Sequence, residues 1–93
     1  MIKIEILVND KIIKSRLLKH NGFAINLACQ YNPDIAHLHI NNTVDLLFIF
    51  NNQSMKEKAS VSYIRLDHPI KIGFKLLNNN KELQSLLEEL KYE

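Results

Sequence analysis

At 93 residues and 46% hydrophobic content, the chain suits one compact domain spanning residues 1–93, with room for a single core and not for two. Charged residues at 24% argue against a disordered chain, and the longest apolar run, residues 46–50, is far short of the roughly 20 residues that span a bilayer. The lone Cys29 excludes an internal disulfide framework, and the N-terminus lacks a continuous apolar leader, so a reducing cytoplasm is the expected compartment.

From the N-terminus, Ile2, Ile4, Ile6 and Val8 are interleaved with Lys3 and Glu5, the period-two alternation of a strand with one apolar face. Asn9-Asp10 reads as a turn, because both side chains bond local backbone and tolerate left-handed conformations. Residues 11–19 read as a second strand. Ile12, Ile13, Leu17 and Leu18 make no narrow helical stripe, although a helix capped by Asp10 and ended by Gly22 is the competing assignment. Asn21-Gly22 is a two-residue hairpin signal, while residues 23–31 match either the second arm of that hairpin or a helical face through Ala24, Leu27, Ala28 and Tyr31.

Beyond Pro33, residues 35–40 and 44–50 read as two further strands joined at Asn41-Asn42, the second without alternation and so expected at the centre of a sheet covered on both faces. The polar stretch 51–59 reads as the longest loop. Residues 61–66 and 70–77 read as an antiparallel pair turned at Asp67-His68-Pro69, with Ile70, Ile72, Phe74 and Leu76 on one face. Leu83, Leu86, Leu87 and Leu90 recur at i, i+3, i+4, i+7, the stripe of an amphipathic helix over about residues 80–91, with Asn79 as its cap and Glu82 near its positive end. No internal repeat is visible.

The chemistry is sparse. Ser15, Ser54, Ser60, Ser62 and Ser85 sit in no nucleophile-elbow pattern, Gly22 and Gly73 stand alone where a phosphate-cradling loop needs clustered glycines, and Glu88-Glu89 suits a solvated helix end. His37 and His39, set on a strand, would share a face and supply two metal ligands. A site needs at least three, so no metal or other cofactor is assigned. Cys29 has no activating histidine nearby in sequence and reads as a buried structural thiol. These patterns point away from an enzyme.

Two binding readings remain. Lys11, Lys14, Arg16 and Lys19 form a basic strip without an acidic residue, although the halves of the chain are evenly charged: five basic and four acidic groups in 1–50, seven and six in 51–93. Lys14 and Arg16 share a strand face, with His20 beyond Leu18, so Lys14, Arg16, Lys19 and His20 are the candidate partner-binding residues. The strip suits a solvated outer face better than a binding patch, and it lacks interleaved aromatic platforms. Leu7, Leu47 and Ile64, on the outer parity of their strands, and Tyr92 beyond the leucine stripe are the candidate apolar contacts.

A helix-turn-helix cadence through residues 23–40 fails at Pro33 and at His37 and His39, where a recognition helix would carry longer polar side chains. The richness in Asn, Ile and Lys follows an AT-rich genome, a compositional trait shared with small phage and mobile-element proteins. The chain is therefore expected to be an α+β domain: a mostly antiparallel sheet of five to seven strands, open or curled into a small sandwich, packed by a C-terminal amphipathic helix. The expected function is a non-catalytic protein-interaction module, of the inhibitor, adaptor or immunity type, binding another protein or a second copy of itself through a sheet edge, a sheet face or the helix. The alternative is a weak nucleic-acid or polyanion binder using residues 11–19. No membrane partner is expected.

Overall fold

The computed structural model describes residues 2–90, the side chain of Leu90 excepted. The expected helix end at residue 91 and Tyr92 lie outside them. The chain runs β1 (Lys3–Val8), β2 (Lys11–Asn21), β3 (Ala24–Cys29), a 3-10 helix (Pro33–His37), β4 (Thr43–Phe50), β5 (Gln53–Arg65), β6 (Ile70–Leu76) and α1 (Lys81–Leu90). All strand pairs are antiparallel, and the order β1-β2-β3-β6-β5-β4 closes on itself through β1·β4. The α+β class and antiparallel pairing match the sequence reading. The sandwich does not: the sheet is a six-stranded barrel, because two three-stranded meanders pair along both of their free edges. Among the described residues no helix is long and apolar enough to cross a membrane.

The turns set the hairpins within each meander. Asn9 and Asp10 have φ of 48° and 63°, and Asn51 and Asn52 have φ of 49° and 64°, the pair of left-handed residues that defines a type I′ hairpin. Residues 51–59 are therefore no loop. Asn51-Asn52 is the turn, and the polar residues after it begin β5, whose Lys56 and Lys58 point to solvent opposite Leu47 and Asp45. In β4, Val44, Leu46 and Phe48 are buried inward while Leu47 and Ile49 are half-covered outside, so β4 is barrel wall and no central strand.

Residues 24–29 take the strand alternative, pairing with β2 and β6. Residues 35–40 do not form the expected strand. Asn32 accepts the Asp34 amide at 2.8 Å, and Pro33 opens the following 3-10 helix, where its missing N–H costs nothing.

The topology contains a repeat that the sequence hides. Exchanging β1 with β4, β2 with β5 and β3 with β6 preserves every pairing, and the two seams cross at Ile6 opposite Leu46 and Asn26 opposite Gly73. Each long strand also carries a bulge at the same place. In β2 the register skips Leu18 against Leu27 and Asn26, and in β5 it skips Ser62 against Phe74 and Gly73. This approximate two-fold sends the segment after β3 to one barrel mouth and the segment after β6 to the other.

Ile4, Ile6, Ile25, Leu27, Leu46, Phe48, Val61, Ile72 and Phe74 fill the barrel, with Ile35 and Leu38 entering from the first mouth and Leu83 and Leu87 from the second. The cap of α1 is Asn80, one residue later than expected. Its Oδ1 accepts the Leu83 amide at 3.1 Å, while its Nδ2 donates to the Glu57 carboxylate and ties the helix start to β5. Near the other end, His20 Nε2 donates to the Leu87 carbonyl at 2.8 Å. That carbonyl lies in the last described turn of the helix, so the bond ties the helix to β2.

Leu83 and Leu87 are fully buried, whereas Leu86 is half-buried at the margin of the core. Leu87→Ala is expected to cost about 2–5 kcal/mol in urea unfolding, and Leu86→Ala clearly less. Equal losses, or a Leu87 loss below about half a kcal/mol, would contradict the plugged mouth.

Candidate functional site

Two surfaces arise from this architecture. The first is the outer face of β2, β3, β6 and the second half of β5. One row across these strands reads Arg16, Ala28, Lys71, Arg65, the next Lys19, Asn26, Gly73, Tyr63, and the third Asn21, Ala24, Lys75, Ser60. No acidic residue occurs in β2, in β3, in β6 or in β5 from Ala59 onward. The acidic strand residues lie elsewhere: Glu5 and Asp45 on the β1·β4 side, and Glu57 at the helix cap.

Arg65 is paired with Asp67 at 3.4 Å, and Lys14 stands opposite Glu5, whereas Arg16, Lys19, Lys71 and Lys75 have no acidic residue opposite them in the β2·β3, β3·β6 and β5·β6 registers. At the Cys29 end of β3, a pit of about 200 Å³ opens between Lys14, Arg16, Gln30 and Pro69.

Of the four partner-binding candidates, the structure brings Lys14, Arg16 and Lys19 to this face and removes His20. The bulge at Leu18 shifts the parity of the rest of β2, so His20 aligns with inward-facing Ile25 and its ring is engaged by α1. Lys71, Lys75 and Arg65 were missed because they belong to distant strands, and only the β3·β6 and β5·β6 registers bring them alongside β2. Lys71 and Lys75 alternate with inward Ile70, Ile72 and Phe74, which was a legible sign that they face outward.

Tyr63 lies across Gly73 so closely that a methyl group there would come within 2.2 Å of a ring carbon, and its hydroxyl donates to Asn26 Oδ1 at 3.0 Å. The residue nevertheless remains 37% exposed. A glycine at this position is what lets an aromatic ring rest on the sheet surface.

The second surface is the barrel mouth at the 3-10 helix. A cleft of about 350 Å³ is lined by Tyr31, Asn32, Pro33, Ile35, Ala36, Ile64 and Leu66. Tyr31 and Leu66 are 75% and 76% exposed. Ile64, expected on the outer parity, is turned to the inward side by the bulge at Ser62 and packs against the core. It is the two-fold counterpart of His20, two residues past its bulge. Leu7 and Leu47 are half-covered on the outer wall of β1 and β4, away from this cleft.

The remaining candidates are dispersed. His37 ends the 3-10 helix and His39 follows buried Leu38 outside any strand, so the shared strand face on which a metal reading depended does not exist. No group of three or more His, Cys, Asp or Glu side chains with metal-binding spacing occurs among the described residues. Cys29 is buried, and desolvation pushes its thiol pKa up, away from the reactive thiolate. No family model matches the chain, and no curated protein sequence is significantly similar to it.

Replacing Gly73 by Ala is expected to cost about 1–3 kcal/mol through collision with the Tyr63 ring. In a Tyr63→Ala background the same substitution is expected to cost much less, a coupling read from a double-mutant cycle in urea. Additive losses would contradict the stacking of Tyr63 on Gly73.

Proposed function

We propose that this protein is a non-catalytic protein-interaction module whose apolar mouth, at the 3-10 helix, receives a short amphipathic helix of a partner protein. The observation that carries this reading is the inequality of the two mouths. After β6 the chain supplies a ten-residue helix whose Leu83 and Leu87 fill one mouth, whereas after β3 a five-residue 3-10 helix plugs the other with Ile35 and Leu38 and leaves a cleft of about 350 Å³ beside them. The approximate two-fold makes the mouths equivalent in construction, so the cleft between Tyr31, Ile64 and Leu66 is where a second leucine-faced helix would rest. Helix-in-groove recognition uses anchors at this i, i+3 or i+4 spacing.

The lining also argues against catalysis. Apart from the Tyr31 phenol, Tyr31, Asn32, Pro33, Ile35, Ala36, Ile64 and Leu66 include no carboxylate, imidazole, thiol or ammonium group to move a proton or attack a substrate. Apolar side chains as exposed as Tyr31 and Leu66, grouped around one concavity, are the usual mark of a contact surface.

Selection from a displayed library of helical peptides against the whole chain is expected to enrich amphipathic sequences with apolar residues at helical spacing. Leu66→Asp should weaken the selected peptides by roughly tenfold or more while leaving the unfolding midpoint unchanged, as for an anchor pocket. Enrichment of extended or purely charged peptides, or peptides indifferent to Leu66→Asp, would contradict the reading.

A further inference from the structure

We infer that the outer face of β2, β3, β6 and β5 binds single-stranded nucleic acid, with phosphates between the cations of β2 and β6 and a base stacked on Tyr63. Three observations converge on it. The first is charge: the fold gathers Arg16 and Lys19 from β2, Lys71 and Lys75 from β6 and Arg65 from β5 onto β2, β3, β6 and the part of β5 from Ala59 onward, none of which carries an acid, although the linear sequence is evenly charged. Adjacent strands lie about 4.8 Å apart, so Arg16 and Lys71 have backbones roughly 10 Å from each other across β3. The outward residues of β3 between them are short, Ala24, Asn26 and Ala28. Two cationic rows thus flank a floor of short side chains, exposed at Ala24 and covered by its neighbours at Ala28, the kind of track one anionic backbone follows.

The second observation is Tyr63. Gly73 leaves room for the ring against the sheet, and the side-chain Oδ1 of Asn26 accepts from its hydroxyl, while the residue stays 37% exposed. The ring is thus positioned in advance of any ligand. Base stacking on such aromatic side chains does not depend on sequence, because every base has a π-face. A base paired and stacked inside a duplex cannot offer that face, and a convex barrel wall meets a duplex along a narrow line. The favoured ligand is therefore a single strand.

The third is the pit of about 200 Å³ between Lys14, Arg16, Gln30 and Pro69 at one end of the floor. It supplies a recess beside two cations where the path of a phosphate backbone would leave the sheet. Asp67, bonded to Arg65, and Glu5, opposite Lys14, mark the edges of the face by restoring negative charge there.

The test is fluorescence anisotropy of the full chain with a labelled oligothymidylate about 20 nucleotides long, a duplex of equal length, and heparin as competitor. Oligothymidylate is expected to bind more tightly than duplex and to weaken with salt, the slope of log affinity falling by about 0.7 for each phosphate contact removed. Arg16→Glu combined with Lys71→Glu should weaken binding roughly tenfold or more. Tyr63→Leu, which keeps Gly73 covered, should weaken it by about 5- to 100-fold, and Tyr63→Phe should retain most of it. Circular dichroism of each variant checks that the barrel is intact.

Oligothymidylate and duplex binding equally, with Tyr63→Leu silent, would overturn the inference in favour of a surface for any polyanion. Absence of salt-sensitive binding to oligothymidylate would overturn it outright. Neither result depends on the apolar mouth, because Leu66→Asp is expected to leave oligothymidylate affinity unchanged.

Discussion

Strand β1 meets β4, and β3 meets β6, across separations in sequence that local turns cannot bridge, and these two seams are the constraint on which the rest of the molecule depends. Each meander alone would leave two open edges with unsatisfied amides and carbonyls. Joining both pairs of edges removes every edge and encloses a space that Ile4, Ile6, Leu46, Phe48, Ile72 and Phe74 fill. A barrel this small has no second layer outside it, so only its two mouths need further cover. The segments after β3 and β6 provide that cover.

The same seams decide what each surface carries. Because β3 lies between β2 and β6, cations remote in sequence become neighbours, while Glu5 and Asp45 are carried to the β1·β4 side. Because the two-fold exchanges the mouths, the helix that fills one exposes by contrast what the other lacks. The bulges at Leu18 and Ser62 are part of this division: without them His20 and Ile64 would point outward, and neither the tether to the Leu87 carbonyl nor the wall of the apolar cleft would exist.

Much of the local structure was legible. Alternation identified β1 and β6, the leucine stripe identified α1, and Asn21-Gly22 marked a hairpin whose Gly22 has φ of 59°. The errors have separate physical causes. Asn51-Asn52 performs with two asparagines the turn usually signalled by Asn-Gly, so a polar strand passed for a loop. Residues 35–40 had strand-like composition, but Asn32 and Pro33 start a 3-10 helix before them. Ring closure was illegible because it rests on pairing between distant edges, and the bulges were illegible because an extra residue leaves no compositional trace. The candidate site was half legible for that reason: Lys14, Arg16 and Lys19 are contiguous in sequence, whereas Lys71, Lys75 and the Tyr63 platform join them only through register.

The most direct test of this account is nuclear Overhauser spectroscopy of the whole chain across the two seams. The closed barrel predicts cross-strand contacts between the Ile6 and Leu46 backbones and, in the same molecule, between those of Asn26 and Gly73. Loss of either set, with the other retained, would mean an open sheet. The shared face of β2, β3 and β6 would survive a missing β1·β4 seam but not a missing β3·β6 seam, and in either case the paired mouths on which the helix-binding reading rests would be lost.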